Sequence, residues 1–588
     1  MLPSPAESPV LLPKSRPPTL QTGPDSFILL LSAAIGVGTG LTIVLFRYLI
    51  RGIHYLAFEQ AMGWIIAWGP WTLACVPILG GLLVGVVRIL RPAGQSLHPL
   101  QTLLGAALSL GSGASLGPEG PSVELGGRWG NWLAKHLRVS QERQQVLQAA
   151  GVAAGLAAGF NAPISGAFLA FELLLGATFT GGAIPMILLA AVIAALIAQV
   201  GLGSQPAFGL PPYEMRSAWE LPLYMGLGLV ACVIALGFTA AVQQAEKLAD
   251  FLPRRFALLF PALGGVVIGL VALRWPQALG VGYETIEAML QDVHFPLPLL
   301  VTLLLVKLGL TVTSLGTGWM GGIFAPAMFL GATLGLAYGK LTALLLGTWI
   351  PIAAPPAYAM VGMAAFLAAC VRTPLTAILL LFELTRNSWI ILPLMAAVGI
   401  SIWLAEFLQP QGGWSPLAHL QAPQSTSSLD TLTVKDVMGP VPPQVDEAQS
   451  LEAVARYMTQ HHLGQVLITS AAGRLVGILT PQDLNRWLAE SQGLPWSHIP
   501  VSQVCTSDVL TAYDDESLAQ VMKHMYSRGL HQLPVLSHTT HSRVIGLLRW
   551  EDIDLARKLA QARLALNDGR PATPPVQPLS LSNTLVSE

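Results

Sequence analysis

Two stretches of the sequence match each other without a gap: residues 151–173 (GVAAGLAAGFNAPISGAFLAFEL) and residues 362–384 (GMAAFLAACVRTPLTAILLLFEL). In both copies a proline stands nine residues before a glutamate, Pro163 before Glu172 and Pro374 before Glu383. Helices rich in Ala and Leu resemble one another by chance, but the shared register of the proline and of Phe-Glu-Leu argues against chance. An internal repeat of this kind is typical of membrane transporters whose site lies at the repeat interface.

The composition of the 588-residue chain indicates an integral membrane protein. Hydrophobic residues make up 53% and charged residues 11%, whereas an average soluble domain has about 25% charged residues. A soluble globule of this composition, with a mean hydropathy of +0.59, would expose too much apolar surface. Lys and Arg total 31 and Asp and Glu total 32, so the charge balance suggests no nucleic-acid partner. The 4 cysteines lack CxxC spacing, which argues against a disulfide scaffold or a zinc site.

Long uncharged stretches follow one another up to about residue 420; they lie at 27–46, 61–87, 173–213, 221–245, 256–273, 308–339, 341–371 and 387–405. A helix needs about 20 apolar residues to cross a bilayer, and several stretches suffice for two crossings. Others are broken by Gly and Pro, which membranes tolerate where the broken helix lines a site. The sequence therefore predicts an α-helical polytopic membrane domain over residues 26–420 with partly re-entrant helices, after a disordered tail over 1–25.

The composition changes near residue 421. Residues 421–433 read as a linker, and beyond them charges become frequent and strand-like runs such as GQVLITS and RVIGLLR appear. Two similar segments, over 434–488 and 500–558, each predict the order strand, helix, strand, strand, helix. This part is predicted to be soluble and α/β, followed by a disordered tail over 567–588.

The sharpest local motif is GPEGP at residues 117–121. A carboxylate such as Glu119 in an apolar region is costly, about 2.5–3.5 kcal/mol on insertion scales. Gly117 and Gly120 expose backbone amides, and Pro121 suits the first turn of a helix. A helix N-terminus stabilises either the Glu119 carboxylate or an anion in its place, so we predict that the two compete for one site. The alternative is a helix cap that happens to be glutamate.

The motif GGIFAP at residues 321–326 has the same design of glycines followed by a proline that opens a helix. Pro121 and Pro326 are 205 residues apart, close to the 211 residues between Pro163 and Pro374, so the two motifs occupy nearly equivalent places. Two helix N-termini aimed at one point would form an anion site without any full positive charge. The alternative is a Gly-rich break in a helix.

With these motifs the membrane part resembles the CLC family of chloride channels and chloride/proton exchangers. GPEGP resembles that family's G(K/R)EGP motif, GGIFAP its GxFxP motif, and AGFNAPISGAFLAFE its helix carrying FNAP. The soluble part resembles the CBS-domain pair of many members. The resemblance implies a homodimer in a lipid bilayer, with one pathway per subunit for chloride or a similar small anion. It implies that Glu119 is the gate and that the anion is bound at Gly117, Gly120, Gly322, Ile323 and Phe324, the last two through their amides.

The chain departs from the family pattern in three places. The GSGIP motif, which supplies a serine and a helix N-terminus to the anion site, has no clear copy; the expected region reads RPAGQSLHPLQ, where Ser96 is the remaining candidate ligand. Pro118 stands where the family has a basic residue, and the family's late tyrosine at the anion site has no clear match.

A further difference concerns protons. Exchangers carry an inner glutamate ten residues after the FNAP proline, where this chain has Leu173. Glu119 would serve the outer half of a proton pathway. Glu172 is a candidate for the inner half only if its helix is rotated, because adjacent helix positions point about 100° apart; Glu383 is expected to be structural. We therefore predict channel-like or weakly proton-coupled anion transport gated by Glu119, with obligate chloride/proton antiport as the alternative.

The CBS pair suggests a ligand of its own. In GILTPQD at residues 477–483, Thr480 would contact a phosphate and Asp483 a ribose of an adenine nucleotide, whereas the second copy has Arg549 at the threonine position. The alternative is a purely structural dimerising module. No other cofactor is required.

Two further function classes stay open. A membrane-anchored CBS sensor with a degraded anion pathway would explain the missing GSGIP motif. A membrane enzyme is disfavoured because no metal cluster, nucleophile elbow or P-loop appears in the sequence.

The charge distribution predicts the orientation. Lys14 and Arg16 precede the first span, and Arg88 and Arg91 end a span, so both termini and the CBS pair are predicted to be cytoplasmic. The membrane is predicted to be the plasma (inner) membrane.

Overall fold

The computed structural model describes residues 24–61, 69–90, 99–137, 139, 141–175, 183–203, 216–217, 219–250, 258–291, 295–349, 351–409, 432–490, 499–527, 530, 532–538, 543–556 and 559. The chain divides into two compact units, Met1–Ala422 and Pro423–Glu588. The predictions for the tail up to residue 23, for Ser96, for the linker up to residue 431 and for the tail over 567–588 lie outside the described residues.

The first unit is built from α-helices over its described residues. In chain order they are α1 (Pro24–His54), α2 (Cys75–Ile89), α3 (Pro99–Gly111), α4 (Glu119–His136), α5 (Gln141–Phe160), α6 (Pro163–Ala170), α7 (Ile184–Leu202), α8 (Glu220–Asp250), α9 (Leu259–Ala272), α10 (Tyr283–Leu290), α11 (Leu297–Gly316), α12 (Phe324–Leu346), α13 (Pro355–Val371), α14 (Pro374–Thr385) and α15 (Ile391–Leu408). Two π-helical turns, Tyr55–Ala61 and Phe171–Leu175, extend α1 and α6.

The helices differ widely in length. Within the described part of the chain, 7 helices are long and apolar enough to cross a membrane. Others are apolar but short: α14 has 12 residues, which at 1.5 Å per residue is roughly 18 Å against a hydrocarbon core of about 30 Å. This mixture confirms the predicted polytopic helical fold with re-entrant helices.

The internal repeat is visible in the backbone. Asn161 (φ 57°) and Arg372 (φ 62°), which correspond in the repeat, both adopt the left-handed conformation. The next residues, Ala162 (φ −130°, ψ 78°) and Thr373 (φ −126°, ψ 78°), cap α6 and α14 with nearly identical angles, and each helix then opens with a proline. The gapless match in sequence therefore reflects one chain path used twice.

The most extensive helix–helix contact in each repeat is made by equivalent helices, α4 with α5 in the first repeat and α12 with α13 in the second. A Cβ atom on Gly126 or on Gly151 would overlap the carbonyl oxygen of the other, and the same holds for Gly331 and Gly362. Small residues allow membrane helices to approach this closely. Gly126 and Gly331 are 205 residues apart, and Gly151 and Gly362 are 211 apart, so the crossings lie at equivalent places of the repeat.

The second unit contains two similar α/β copies. The first has β1 (Gln444–Asp446), α16 (Leu451–Gln460), β2 (Val466–Thr469), β3 (Leu475–Leu479) and α17 (Pro481–Glu490); the second has β4 (Ala512–Tyr513), α18 (Leu518–Ser527), β5 (Gln532–Leu536), β6 (Val544–Arg549) and a helical segment over 550–556. In each 3-stranded sheet the first strand pairs in parallel with the second, and the second pairs antiparallel with the third. This is the order that the sequence predicted.

Candidate functional site

The structure brings the two glycine motifs together. Gly117 N donates to Gly322 O at 2.8 Å, and Gly322 N donates to Gly117 O at 2.7 Å. This antiparallel bridge joins the segment that opens α4 to the segment that opens α12. The residues that follow, Pro118 and Ile323, are equivalent N-caps with helical backbone angles. The two helix N-termini therefore start side by side.

The glycines of the motifs make this approach sterically possible. A Cβ on Gly120 would lie 2.7 Å from the Cα of Gly322, closer than real Cβ contacts. The amides of Gly117 and Gly322 each donate to the carbonyl group of the other residue, so the geometry gives these two residues the role of holding the two helix starts together. It does not favour the anion contact that the sequence predicted for their amides.

Both helices begin with backbone N–H groups that have no intrahelical acceptor. The first intrahelical bonds run from Ser122 N to Pro118 O at 3.0 Å and from Ala327 N to Ile323 O at 2.8 Å. The amides of Gly120 and Phe324 stand ahead of these bonds, where a helix leaves N–H groups without an intrahelical acceptor. Ile323 and Phe324 are buried, at 2% and 1% exposure. Two positive helix ends thus converge in a buried place.

The side chain of Glu119 occupies this place. It is 0% exposed, and its Oε1 accepts a hydrogen bond from the Tyr283 hydroxyl. Its Oε2 is buried without a hydrogen-bond partner among the described residues, and the backbone amide of Ala325 and the guanidinium of Arg47 are among the groups that act on the carboxylate. A Cβ on Gly117 would overlap Oε2. The carboxylate is therefore folded back between the two motifs.

Sequence reasoning missed Tyr283 and Arg47. Tyr283 is the first residue of α10, and its hydroxyl also interacts with the guanidinium of Arg47. Arg47 lies near the end of α1 and donates through Nη2 to Gly159 O at 2.6 Å. The charge of Arg47 thus acts on the Glu119 carboxylate, and the picture of helix ends alone does not include it. The available signal was that Arg47 ends the uncharged run over residues 27–46.

Lys307 is a buried cation beside the loop that precedes Tyr283, and the sequence analysis did not single it out. Its side chain is 0% exposed in α11. Nζ donates to the carbonyl groups of Ala278 at 3.0 Å and Gly280 at 2.6 Å, and it lies 4.8 Å from the ring centroid of Phe329. Because the loop that it holds leads directly into Tyr283, Lys307 fixes the approach of the tyrosine to the gate.

Glu172 and Glu383 cap each other's repeat. Glu172 accepts hydrogen bonds from the amides of Leu375 (2.8 Å) and Thr376 (2.9 Å) and from the Thr376 hydroxyl (2.6 Å), at the start of α14. Its repeat partner accepts from the amides of residues 164 (2.9 Å) and 165 (2.7 Å) and from the serine hydroxyl of residue 165, at the start of α6. This symmetric arrangement favours a structural role for Glu172 over the proton-pathway role that was predicted. Leu173 beside it is buried, at 6% exposure.

In the second unit, Asp483 is saturated by its own neighbours. Its Oδ2 accepts from the Thr480 amide at 2.9 Å and hydroxyl at 2.7 Å. Its Oδ1 accepts from Arg486 at 2.5 Å and from the Thr506 hydroxyl at 2.9 Å. The predicted nucleotide contacts Thr480 and Asp483 are thus brought together, but they bind each other.

The equivalent position of the second copy differs. Asp552 corresponds to Asp483, and its Oδ2 is buried without a hydrogen-bond partner within the described part of the chain. Arg549, which is exposed, replaces the threonine of the first copy. Gly439 forms a β-bridge with Leu547, at the place where Thr506 forms one with Ile478 in the first copy. A glycine has no hydroxyl group that could donate to the aspartate. Among the described residues, the second copy therefore has a buried carboxylate oxygen without a hydrogen-bond partner, whereas both carboxylate oxygens of Asp483 accept hydrogen bonds.

Known proteins resemble both the helical unit and the α/β unit of this chain. The family model "Voltage gated chloride channel" matches residues 96–406, and the CBS domain model matches residues 434–490 and 501–557. The chain is 32% identical over 645 residues to "Chloride channel protein CLC-f" of Arabidopsis thaliana, a match that covers 93% of this chain and 83% of that protein. It is 33% identical over 322 residues to "H(+)/Cl(-) exchange transporter ClcA" of Vibrio parahaemolyticus, covering 53% of this chain and 67% of that protein. A solved structure, a slow cyanobacterial Cl-/H+ antiporter, matches with a TM-score of 0.60 and 27% identity, covering 67% of this chain and 96% of the other.

Proposed function

We propose that this chain, which belongs to the voltage-gated chloride channel family, carries chloride or a similar small anion along a pathway gated by Glu119. Anion transport and the multi-pass membrane fold with a soluble CBS pair follow from membership of the family, which confirms the CLC resemblance of the sequence. Members of the family are channels or transporters, so the membrane-enzyme alternative has no support. The gate, its ligands and the coupling mode are our proposal.

The observation that carries the gate is the position of the Glu119 carboxylate. It lies fully buried where the N-termini of α4 and α12 converge, and Oε2 has no hydrogen-bond partner among the described residues. Tyr283 satisfies only Oε1, and a buried polar atom without a hydrogen bond is costly, so we propose that the carboxylate exchanges with another anion that uses the same helix ends. We propose that Gly120, Ile323 and Phe324 supply the amides that bind the anion.

We propose that proton coupling is weak or absent. Relatives named as channels and as exchangers both match the chain, so the support comes from two positions of the structure. Leu173, which cannot bind a proton, stands where exchangers carry the inner glutamate. Glu172 next to it is engaged as a helix cap. Proton movement through a membrane protein needs a chain of titratable groups or waters, and neither of these two described positions offers a carboxyl group that is free to take part.

The gate is tested by anion flux from proteoliposomes at pH 5 and pH 8. We expect Glu119→Ala and Glu119→Gln to change the flux strongly and to abolish most of its pH dependence, because neither side chain ionises. Glu124→Gln is the matched control, since Glu124 lies on the same helix and pairs with Arg128 at 2.5 Å. If both Glu119 variants behave like the parent at both pH values, Glu119 is only a cap. A parent that moves no anion would favour the degraded-pathway CBS sensor.

We further propose a homodimer whose termini and CBS pair are cytoplasmic, in the plasma (inner) membrane. The support is the placement of Lys14 and Arg16 before the first span and of Arg88 and Arg91 after another. Protease added to intact cells should leave the CBS pair uncut. Cleavage of the pair from outside would contradict this orientation.

A second candidate function, adenine nucleotide sensing, concerns the CBS pair. We propose that a nucleotide ribose is bound by Asp552, because Oδ2 of Asp552 is buried without a partner among the described residues, whereas Asp483 already accepts from Thr480, Arg486 and Thr506. The prediction at Thr480 and Asp483 is the competing location. Calorimetric titration of the full chain with ATP and AMP tests both: Asp552→Asn should abolish binding and Asp483→Asn should keep it. The reverse pattern would place the nucleotide in the first copy, and no binding to the parent would leave the pair a structural module.

A further inference from the structure

We propose that Tyr283 and Arg47 are ligands of the transported anion, supplying the hydroxyl group and the positive charge that no recognised motif of this chain supplies. The inference rests on the proposed exchange of the Glu119 carboxylate for an anion. The sequence has no clear copy of the serine motif and no match for the late tyrosine. The structure nevertheless brings a hydroxyl and a guanidinium to the gate, from parts of the chain that carry no motif.

The hydroxyl group of Tyr283 is directed at the place that the anion would take. The Tyr283 hydroxyl donates its hydrogen bond to Oε1 of Glu119, and the carboxylate lies where the two helix N-termini converge. A donor that points at a carboxylate oxygen points equally at an anion that replaces that oxygen. When Glu119 leaves, the Tyr283 hydroxyl loses this acceptor in a partly buried place, which costs free energy. An anion in the vacated place restores that hydrogen bond.

The second step concerns the charge. The guanidinium of Arg47 interacts both with the Tyr283 hydroxyl and with the Glu119 carboxylate. Its Nη2 is held by Gly159 O at 2.6 Å, at the end of α5, so one face of the guanidinium is anchored while the charge stays near the gate. An arginine inside a membrane domain is costly unless it faces a site or a partner. The anchored guanidinium would attract an anion to the position that Glu119 vacates.

The third step concerns positioning. Tyr283 is the first residue of α10, and Gly282 before it has the left-handed angles φ 89° and ψ 14°. Lys307 holds the preceding loop through the carbonyl groups of Ala278 and Gly280. A residue with a side chain at position 282 would clash with the ring of Phe329, because a Cβ there would lie 2.6 Å from that ring. The tyrosine is thus fixed in place before any anion arrives, as a ligand requires.

The test is chloride binding by calorimetry in the Glu119→Ala background, where the carboxylate no longer competes. We expect Tyr283→Phe to weaken chloride binding about tenfold, the loss of one charge-assisted hydrogen bond. We expect Arg47→Gln to weaken it at least as much, while Arg47→Lys, which keeps the charge, restores most of the affinity. Tyr224→Phe is the matched control, because the Tyr224 hydroxyl also donates to a carboxylate, that of Glu220 at a distance of 3.3 Å, and Glu220 is not part of the gate.

The outcomes separate this inference from the proposed function. If the Glu119→Ala protein binds and conducts chloride but Tyr283→Phe and Arg47→Gln bind it as tightly as their background, the two residues are structural and the inference is overturned. If Tyr224→Phe weakens binding as much as Tyr283→Phe does, the effect is unspecific and the inference is also overturned. A Glu119→Ala protein that neither binds nor conducts chloride refutes the proposed gate, and the inference with it.

Discussion

The reciprocal caps make a sharp prediction about Glu172. Replacing it by Gln removes the negative charge and turns one acceptor atom into a donor that faces the amides of α14. Three hydrogen bonds depend on this carboxylate, two from amides and one from the Thr376 hydroxyl. Hydrogen bonds to charged groups contribute about 1.5–3 kcal/mol each, and a glutamine keeps one acceptor. Because the side chain is half-buried, we expect Glu172→Gln to lower the stability by about 2 kcal/mol, near the upper end of measured capping effects.

The pseudo-symmetric partner is the matched control. Glu383→Gln removes the same kind of cap from α6, so the two variants should lose similar stability. A loss of about 2 kcal/mol corresponds to roughly 1.5 °C in melting temperature for a chain of this size. Melting is followed by fluorescence in detergent. The proton-to-chloride ratio is measured in proteoliposomes with a pH electrode and a chloride electrode. We expect both variants to keep the ratio of the parent.

The two assays together refute or support the reasoning. A change of the ratio in Glu172→Gln but not in Glu383→Gln would show that Glu172 carries protons. Unchanged melting in both variants would show that the caps contribute little. Thr376→Val, which removes one hydroxyl and keeps the shape of the side chain, should lower the melting temperature by about a third to a half of the effect of Glu172→Gln, since it removes one of the three bonds.

Three further predictions follow from other sites. If coupling fails for want of an inner carboxyl group, the parent should not pump protons uphill on a chloride gradient, and Leu173→Glu should introduce pumping; pumping by the parent at a fixed ratio would contradict this. Lys307→Met leaves two carbonyl groups without their donor and should lower the free energy of unfolding by about 2–5 kcal/mol. Because Tyr283 is then no longer held, Glu119→Gln should change the flux less in this background. Lys307→Arg should retain more of the stability and more of the response to Glu119→Gln, and equal losses in the two variants would argue against this positioning role. The Thr433 backbone and hydroxyl hydrogen bonds hold the pKa of the Asp436 carboxyl below its usual value, so this cap stabilises the CBS unit at pH values above the pKa of a free carboxyl and is lost on acidification. Because Asp436 is exposed and solvent screens its charge, Asp436→Asn should cost only about 0.5 kcal/mol at pH 7, near the lower end of capping effects, and less below about pH 4. A cost independent of pH would contradict the ionic cap.

The sequence predicted the fold class because its signals are local or periodic. The uncharged stretches, the glycine motifs and the repeat can all be recognised in the sequence without the structure. The 205-residue offset also indicated that the two motifs correspond. The bond between Gly117 and Gly322 then follows from the symmetry of two equivalent helix starts. What the offset could not indicate was that this bond engages the amides of Gly117 and Gly322, two of the residues expected at the anion site.

The residues that the sequence did not reveal act over long separations. Tyr283 reaches Glu119 across 164 positions, and Arg47 reaches Gly159 across 112. An arginine at the end of an apolar run usually marks the interface, so nothing local distinguishes Arg47 from an anchor. The hydrogen bonds of Asp483 similarly depend on Thr506, which lies at the start of the second CBS segment, 23 residues further along the chain. Such contacts are set by packing, which no periodicity encodes.

The charge of Arg47 gives the competition at the gate a simple electrostatic form. With the Glu119 carboxylate in place, the guanidinium and the carboxylate together carry no net charge. With a monovalent anion in the same place and the Glu119 side chain withdrawn, the local charge is again zero. A site that held both negative groups would have a net charge of −1, and an empty site would have +1; both are disfavoured in a medium of low dielectric constant, where unit charges a few ångströms apart interact strongly. Helix N-termini alone, with about half an elementary charge each, would discriminate less strongly between a site with one negative group and a site with two or none. The fixed arginine therefore favours a one-for-one exchange of carboxylate and anion, and it predicts that Arg47→Gln weakens this exclusion: chloride and an ionised Glu119 should then depend less on each other, so the pH dependence of flux should become shallower in Arg47→Gln than in Arg47→Lys.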